Sequence, residues 1–157
     1  MENLLPVLIS VICSVLIAIT GWLILFRNAK RLASRSETYS IVNNINDLLS
    51  DIKNASDEFW LKEENNDSPI IYDTYVGLKL RDIQELIKII KIRHLPISDY
   101  KTSIFQIRMA CTLNSTKASN MSSSQDRAQI LRGIYAVISV CETGVYESFS
   151  KQYPPIK

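Results

Sequence analysis

LLPVLISVICSVLIAITGWLILFRNAKRLASR, from Leu4 to Arg35, decides how the rest of the chain must be read. Between Leu4 and Phe26 the only ionisable side chain is the Cys13 thiol, and then Arg27, Lys30, Arg31 and Arg35 arrive within nine positions. As a helix the uncharged run is about 34 Å long, slightly more than the ~30 Å hydrocarbon core of a bilayer, so it can span with modest tilt. A cleaved signal peptide would carry its bases before a shorter apolar core and end in a small-x-small site. Here the N-terminal residues are Met1, Glu2 and Asn3, and the bases follow the run. That order, by the positive-inside rule, predicts an N-terminus outside and a cytosolic C-terminal domain at the cell (inner) membrane. Trp22 and the bases Arg27, Lys30, Arg31 and Arg35 are the expected membrane-interface residues, the bases lying where an anionic leaflet attracts them. Cys13 makes a poor lipidation site, because the bulky Ile12 precedes it.

Within the run, Ser10, Ser14 and Ala18 recur every fourth residue and form a low-profile stripe along which a second helix could approach closely. A lone anchor facing lipid all round explains the same residues. Pro6 falls in the first turn, where its missing N–H costs least.

Beyond the span the composition changes. Mean hydropathy is near zero for the whole chain only because apolar residues are concentrated at its start. Of the formal charge of +2 on 157 residues, residues 1–36 carry +3 and residues 37–157 sum to −1. A body so close to neutral lacks the excess of bases expected of a nucleic-acid reader, and no nucleic-acid partner is expected. The reading therefore divides the chain into an anchor (1–26), a basic juxtamembrane segment (27–35) and a helical domain (36–157).

That domain has helical periodicity and no strand-like alternation. Ile41, Ile45, Leu48, Ile52, Ala55 and Phe59 fall at alternating steps of four and three, widened by Val42, Leu49 and Trp60. So broad a stripe suits a bundle helix better than an isolated coiled coil. Ser34 followed by Glu37 would make a capping box at its start, while the absence of Gly and Pro between Leu23 and Asn66 also permits one long helix. Pro69 suits the first turn of a second helix near Tyr72 to His94, with Val76, Leu80, Ile83, Ile87 and Ile90 inward. Ser98 or Asp99 could cap a third, reaching to about Ser115, with Tyr100, Ile104, Ile107 and Cys111 on one face and Phe105, Met109 and Leu113 beside them. NSTKASNMSSSQD reads as loop. A last helix from Ser123 or Ser124 would bury Ile130, Ile134, Val137, Cys141, Val145 and Phe149 and stop before Pro154 and Pro155. The expected fold is all-α: a single N-terminal transmembrane helix followed by a roughly four-helix antiparallel bundle, with helices of roughly 18 to 28 residues. Two hairpins completed by a second copy are the alternative.

Motifs for chemistry are sparse. Gly21, Gly77, Gly133 and Gly144 are too far apart to form a phosphate cradle. The single histidine, His94, reads as a cation at a helix C-terminus. Cys111 and Cys141 read as buried thiols in a reducing compartment, and the sequons at Asn54, Asn114 and Asn120 as idle there. No catalytic residue, metal or cofactor is expected. Asp57, Glu58, Glu63, Glu64 and Asp67 surround Trp60, and Lys79, Arg81, Lys88, Lys91 and Arg93 run along helix two, so complementary helix faces are possible. Phe59 and Trp60 are the candidate partner face. These features describe a membrane-anchored binder of another protein or of its own copy, acting as tether, inhibitor or sensor. Its outline is shared by small accessory proteins of bacteria and phages, and the alternative is a membrane-permeabilising or phage-exclusion effector that oligomerises through the span. A membrane-surface enzyme is the lesser alternative.

Overall fold

The computed structural model describes residues 4–61, 68–93, 100–121 and 123–154. They form four α-helices, α1 (Leu4–Leu61), α2 (Pro69–Ile92), α3 (Tyr100–Thr112) and α4 (Ser124–Gln152), with a 3-10 helix at Ser115–Asn120 and no strand among the described residues. The chain divides into two units, Met1–Glu37 and Thr38–Lys157.

In the first unit the described apolar run is exposed: Val7, Ile17 and Leu25 are all more than half exposed. Two hydroxyls of the run are satisfied by its own backbone. Ser14 Oγ donates to the Ser10 carbonyl at 2.8 Å and Thr20 Oγ1 to that of Leu16 at 2.7 Å. Ser34 and Glu37 lie inside the 58-residue α1, not at a helix start, so no capping box begins a new helix there. No Gly or Pro between Leu23 and Leu61 removes a backbone N–H or frees the chain to turn, and helix propagation continues.

The second unit is built on a core drawn from every helix. On α1 the buried line is Thr38, Val42, Ile45, Leu49, Ile52, Ser56 and Phe59: Ile45, Ile52 and Phe59 are buried as expected, while Val42, Leu49 and Ser56 take the places expected for Ile41, Leu48 and Ala55, which are half-buried at its edge. Two polar residues disguised this line. Thr38 Oγ1 pairs with the Tyr153 hydroxyl at 3.3 Å, and Ser56 Oγ with that of Tyr72 at 2.8 Å while donating to the Ile52 carbonyl. Each can sit in the core because it is hydrogen-bonded there.

Side-chain pairs fix the directions. Asp51 meets Lys79 and Ser56 meets Tyr72, so α2 runs antiparallel to α1. Thr38 meets Tyr153 and Asp57 meets Tyr135, so α4 does too. Ser115, just after α3, donates to Asp73 near the start of α2, which makes α3 antiparallel to α2. The up-down order follows from short connections between amphipathic helices.

Local signals set most of the boundaries. Ser68 Oγ accepts from Ile70 N and Pro69 opens α2, while Ser123 Oγ accepts from Asp126 N ahead of α4. Val76, Leu80, Ile83, Ile87 and Ile90 are buried as expected. On α4 the inward row is Leu131, Ile134, Ile138, Cys141, Val145 and Phe149, with Ile130 and Val137 at its margin.

Three expectations are corrected. First, α3 has 13 residues, fewer than a full bundle helix, because Asn114 to Asn120 turns into the 3-10 segment. Second, that segment is not a free loop: Ser115 and Ala118 are buried, and Arg127 reaches back to the carbonyls of Ala118 and Met121 at 3.1 and 3.0 Å. Third, Phe105, Met109 and Leu113 do not join the buried face of α3 but point outward. The proposed caps Ser98 and Asp99, together with His94, Glu63, Glu64 and Asp67, fall outside the described residues.

Candidate membrane and protein interfaces

Phe59 and Trp60, the expected partner face, are 2% and 0% exposed. Phe59 lies parallel to Tyr72 (4.2 Å between ring centroids, 3° between planes) and edge-on to Trp60 at 5.2 Å and 88°. The aromatic pair is core because burial of two large rings outweighs any gain from presenting them to solvent, at about 1.5–3 kcal/mol per large apolar side chain. Of the acids around them, Asp57 is engaged with α4. Asp57 accepts from the Tyr135 hydroxyl at 2.6 Å, a bond that pushes the phenol up to about 12.

Helix-to-helix charge pairing does occur, but across two seams. Lys79 reaches Asp51 at 2.7 Å, which raises the lysine above its ordinary value, and Lys53 reaches both carboxylate oxygens of Glu142 at 2.8 and 2.9 Å. Pairs as open to solvent as these contribute on the order of 1 kcal/mol or less. They specify register more than they stabilise.

Between α1 and α2 a groove of about 370 Å³ opens to solvent, lined by Asp51, Asn54, Glu58, Ile71, Tyr72 and Tyr75 among others. Its Asp51 is held by Lys79. Among the described residues no group of three or more His, Cys, Asp or Glu side chains is placed to hold a metal ion.

Cys111 and Cys141 are buried free thiols, as their places on the apolar stripes predicted. Burial pushes both up to about 11 and also raises the Tyr72 phenol. Unfolding releases these groups to ordinary values, so their stabilising contribution is complete below about pH 8.5 and is lost as pH rises towards 11. Urea midpoints are expected to fall steadily between about pH 9 and pH 11, and Cys111→Ala with Cys141→Ala to flatten the decline. An unchanged midpoint over that range would contradict the burial of these thiols.

Two surfaces remain for recognition. One is the exposed apolar face of α1 ahead of Glu37. There Trp22 stacks on Phe26 at 5.6 Å, Arg27, Lys30 and Arg31 are exposed, Arg35 is half-buried, and Ser10, Ser14 and Ala18 share a face. It is the one helix among those described that is long and apolar enough to cross a membrane. The other is the outward face of α3. Phe105, Met109 and Leu113, spaced at i, i+4 and i+8, are 62%, 38% and 63% exposed. No acid occurs in α3, and Arg108 beside them is exposed. Sequence reasoning missed this face because α3 is apolar on two sides, and periodicity does not say which side meets the core.

No family model, curated protein or solved structure matches this chain.

Proposed function

We propose that this protein is anchored in a membrane by Leu4–Phe26, places its helical body in the cytosol, and binds another protein or its own copy through α3. The observation that carries the anchor is an apolar helical run, none of whose most apolar window is buried within the protein. Bases clustered after the run support the cytosolic side for the body. Unpaired buried thiols at Cys111 and Cys141 suit the same reducing compartment. For binding, the support is the α3 row. Singly exposed apolar residues are ordinary on a protein surface, but Phe105 and Met109 on successive turns of α3, with Leu113 in the turn that follows it, make a ridge of the kind that docks into a partner's groove.

A photo-crosslinking residue in place of Phe105, in intact cells, tests the binding reading. Discrete adducts are expected from position 105 and none from the exposed Thr143 on α4. A product of twice the mass would identify a second copy as the partner. The same pattern of adducts, or none, from both positions would sink the proposal.

A further inference from the structure

A third surface lies on α2, which is apolar on two sides. One row is buried in the core. The other turns outward: Ile71, Tyr75 and Leu78 in the first half of the helix, and Ile89 and Ile92 at its end, are between 39% and 78% exposed. With Asp82 and Glu85 between them, these positions advance in alternating steps of four and three, the spacing of a coiled-coil seam. A bundle helix needs one such row to meet its own core. A second row, kept in register from Ile71 to Ile92 over roughly 32 Å of helix, is the pattern of a helix that meets another helix.

The middle of the row says what chemistry that partner has. Lys88 donates to Glu85 at 2.7 Å and Asp82 stands 3.9 Å from Arg81, so the charged turns are balanced within one copy. A strongly acidic or strongly basic partner gains nothing from them. A helix with apolar ends and balanced charge between fits, and a second copy of α2 is such a helix. Arg81 and Asp82 are both exposed and at the limit of ion-pair distance, so across a two-fold axis each can exchange its partner for that of the other copy. The five apolar side chains expose on the order of 500 Å² per copy, and a matched row on a second copy brings the total to on the order of 1,000 Å², the size at which a specific interface begins.

We infer that two copies of this protein pair through the outward row of α2, apolar turns against apolar turns, with the charged turns at the centre. A polar layer in such a seam lowers its stability and fixes its register. Ile71 and Tyr75 also line the groove between α1 and α2, so pairing covers the mouth of that groove. The inference does not rest on the α3 reading. Asp73, which Ser115 meets just after α3, lies off this row, and the Phe105 ridge stays open to a different partner.

The test is disulfide trapping of the full chain in detergent micelles, with Cys13→Ser leaving only the buried Cys111 and Cys141. Single cysteines are placed on the row at Leu78→Cys or Ile89→Cys, and off it at the exposed Gln84→Cys, each in chains carrying one of two tags. Because a disulfide needs Cβ atoms about 4 Å apart, the row positions are expected to give about ten-fold more covalent dimer than position 84. A parallel pair joins 78 to 78 and 89 to 89, and an antiparallel pair joins 78 of one chain to 89 of the other; either result supports the pairing. Tyr75→Lys with Ile92→Lys is expected to abolish the product, and Phe105→Asp to leave it, in variants that melt with the parent chain. Equal yields from 78, 84 and 89, or no dimer from any combination, overturn the inference. A product that survives the row change but is lost with Phe105→Asp assigns the second copy to α3 and overturns it too.

Discussion

Deletion of Val7–Phe26 is expected to move the protein from a carbonate-resistant membrane fraction to the soluble fraction, the largest single effect open to a change in this chain. Fifteen of the residues from Leu4 to Phe26 are Leu, Ile, Val or Phe. At about −0.3 to −0.6 kcal/mol each near the centre of a span, they favour insertion by several kcal/mol before small and polar residues are counted. Leu16→Arg combined with Ile17→Arg adds about 2.5–3.5 kcal/mol per arginine and is expected to reproduce most of the deletion. With the span intact and Cys13→Ser, the Thr116→Cys thiol should resist an impermeant maleimide until the membrane is opened. Immediate labelling would reverse the orientation, and full carbonate extraction of the unaltered chain would remove the anchor from the account.

Trp60→Ala is expected to cost about 3–5 kcal/mol, the range for emptying a large buried aromatic site. Domain stability is typically only about 5–15 kcal/mol, so the body should melt some 10–20 °C lower and become sensitive to proteolysis. The site has little means of collapsing. Trp60 is fully buried, Phe59 is clamped between it and Tyr72, and Tyr72 is tied to Ser56 on α1. Phe105→Ala, also an aromatic deletion but on the outward face of α3, should change stability by no more than about 0.5 kcal/mol. Thermal melts of the two variants in the same detergent decide the matter. Similar melting temperatures for both would contradict the burial of Trp60 and return it to the surface as a partner residue.

The contrast between these aromatics shows where legibility stopped. Phe59, Trp60 and Phe105 are equally apolar, and each lies on a helix with apolar residues on more than one side. Local pattern ranks none of them. Which ring is covered depends on where α2 and α4 lie, and that is fixed by contacts such as Asp51 with Lys79 and Lys53 with Glu142, far apart in sequence. Thr38 and Ser56 show the same effect within one helix: they read as breaks in an apolar row until Tyr153 and Tyr72 supply their hydrogen bonds.

The sequence by itself determined that the chain is helical, that an uncharged run long enough for a bilayer ends in a basic cluster, and where α2 and α4 begin. Those features are local: charge, 3.6-residue periodicity, Pro69 and the capping serines act over a turn or two of chain. Only the tertiary structure decided that α1 has Val42 and Leu49 at the centre of its buried face, that the serine-rich stretch after α3 folds onto the core, and that Phe105, Met109 and Leu113 face outward instead of Phe59 and Trp60. Burial is a property of neighbours. An amphipathic helix states that one side will be covered, but on a helix apolar on two sides the choice belongs to whichever packing fills the core with the fewest unsatisfied polar groups.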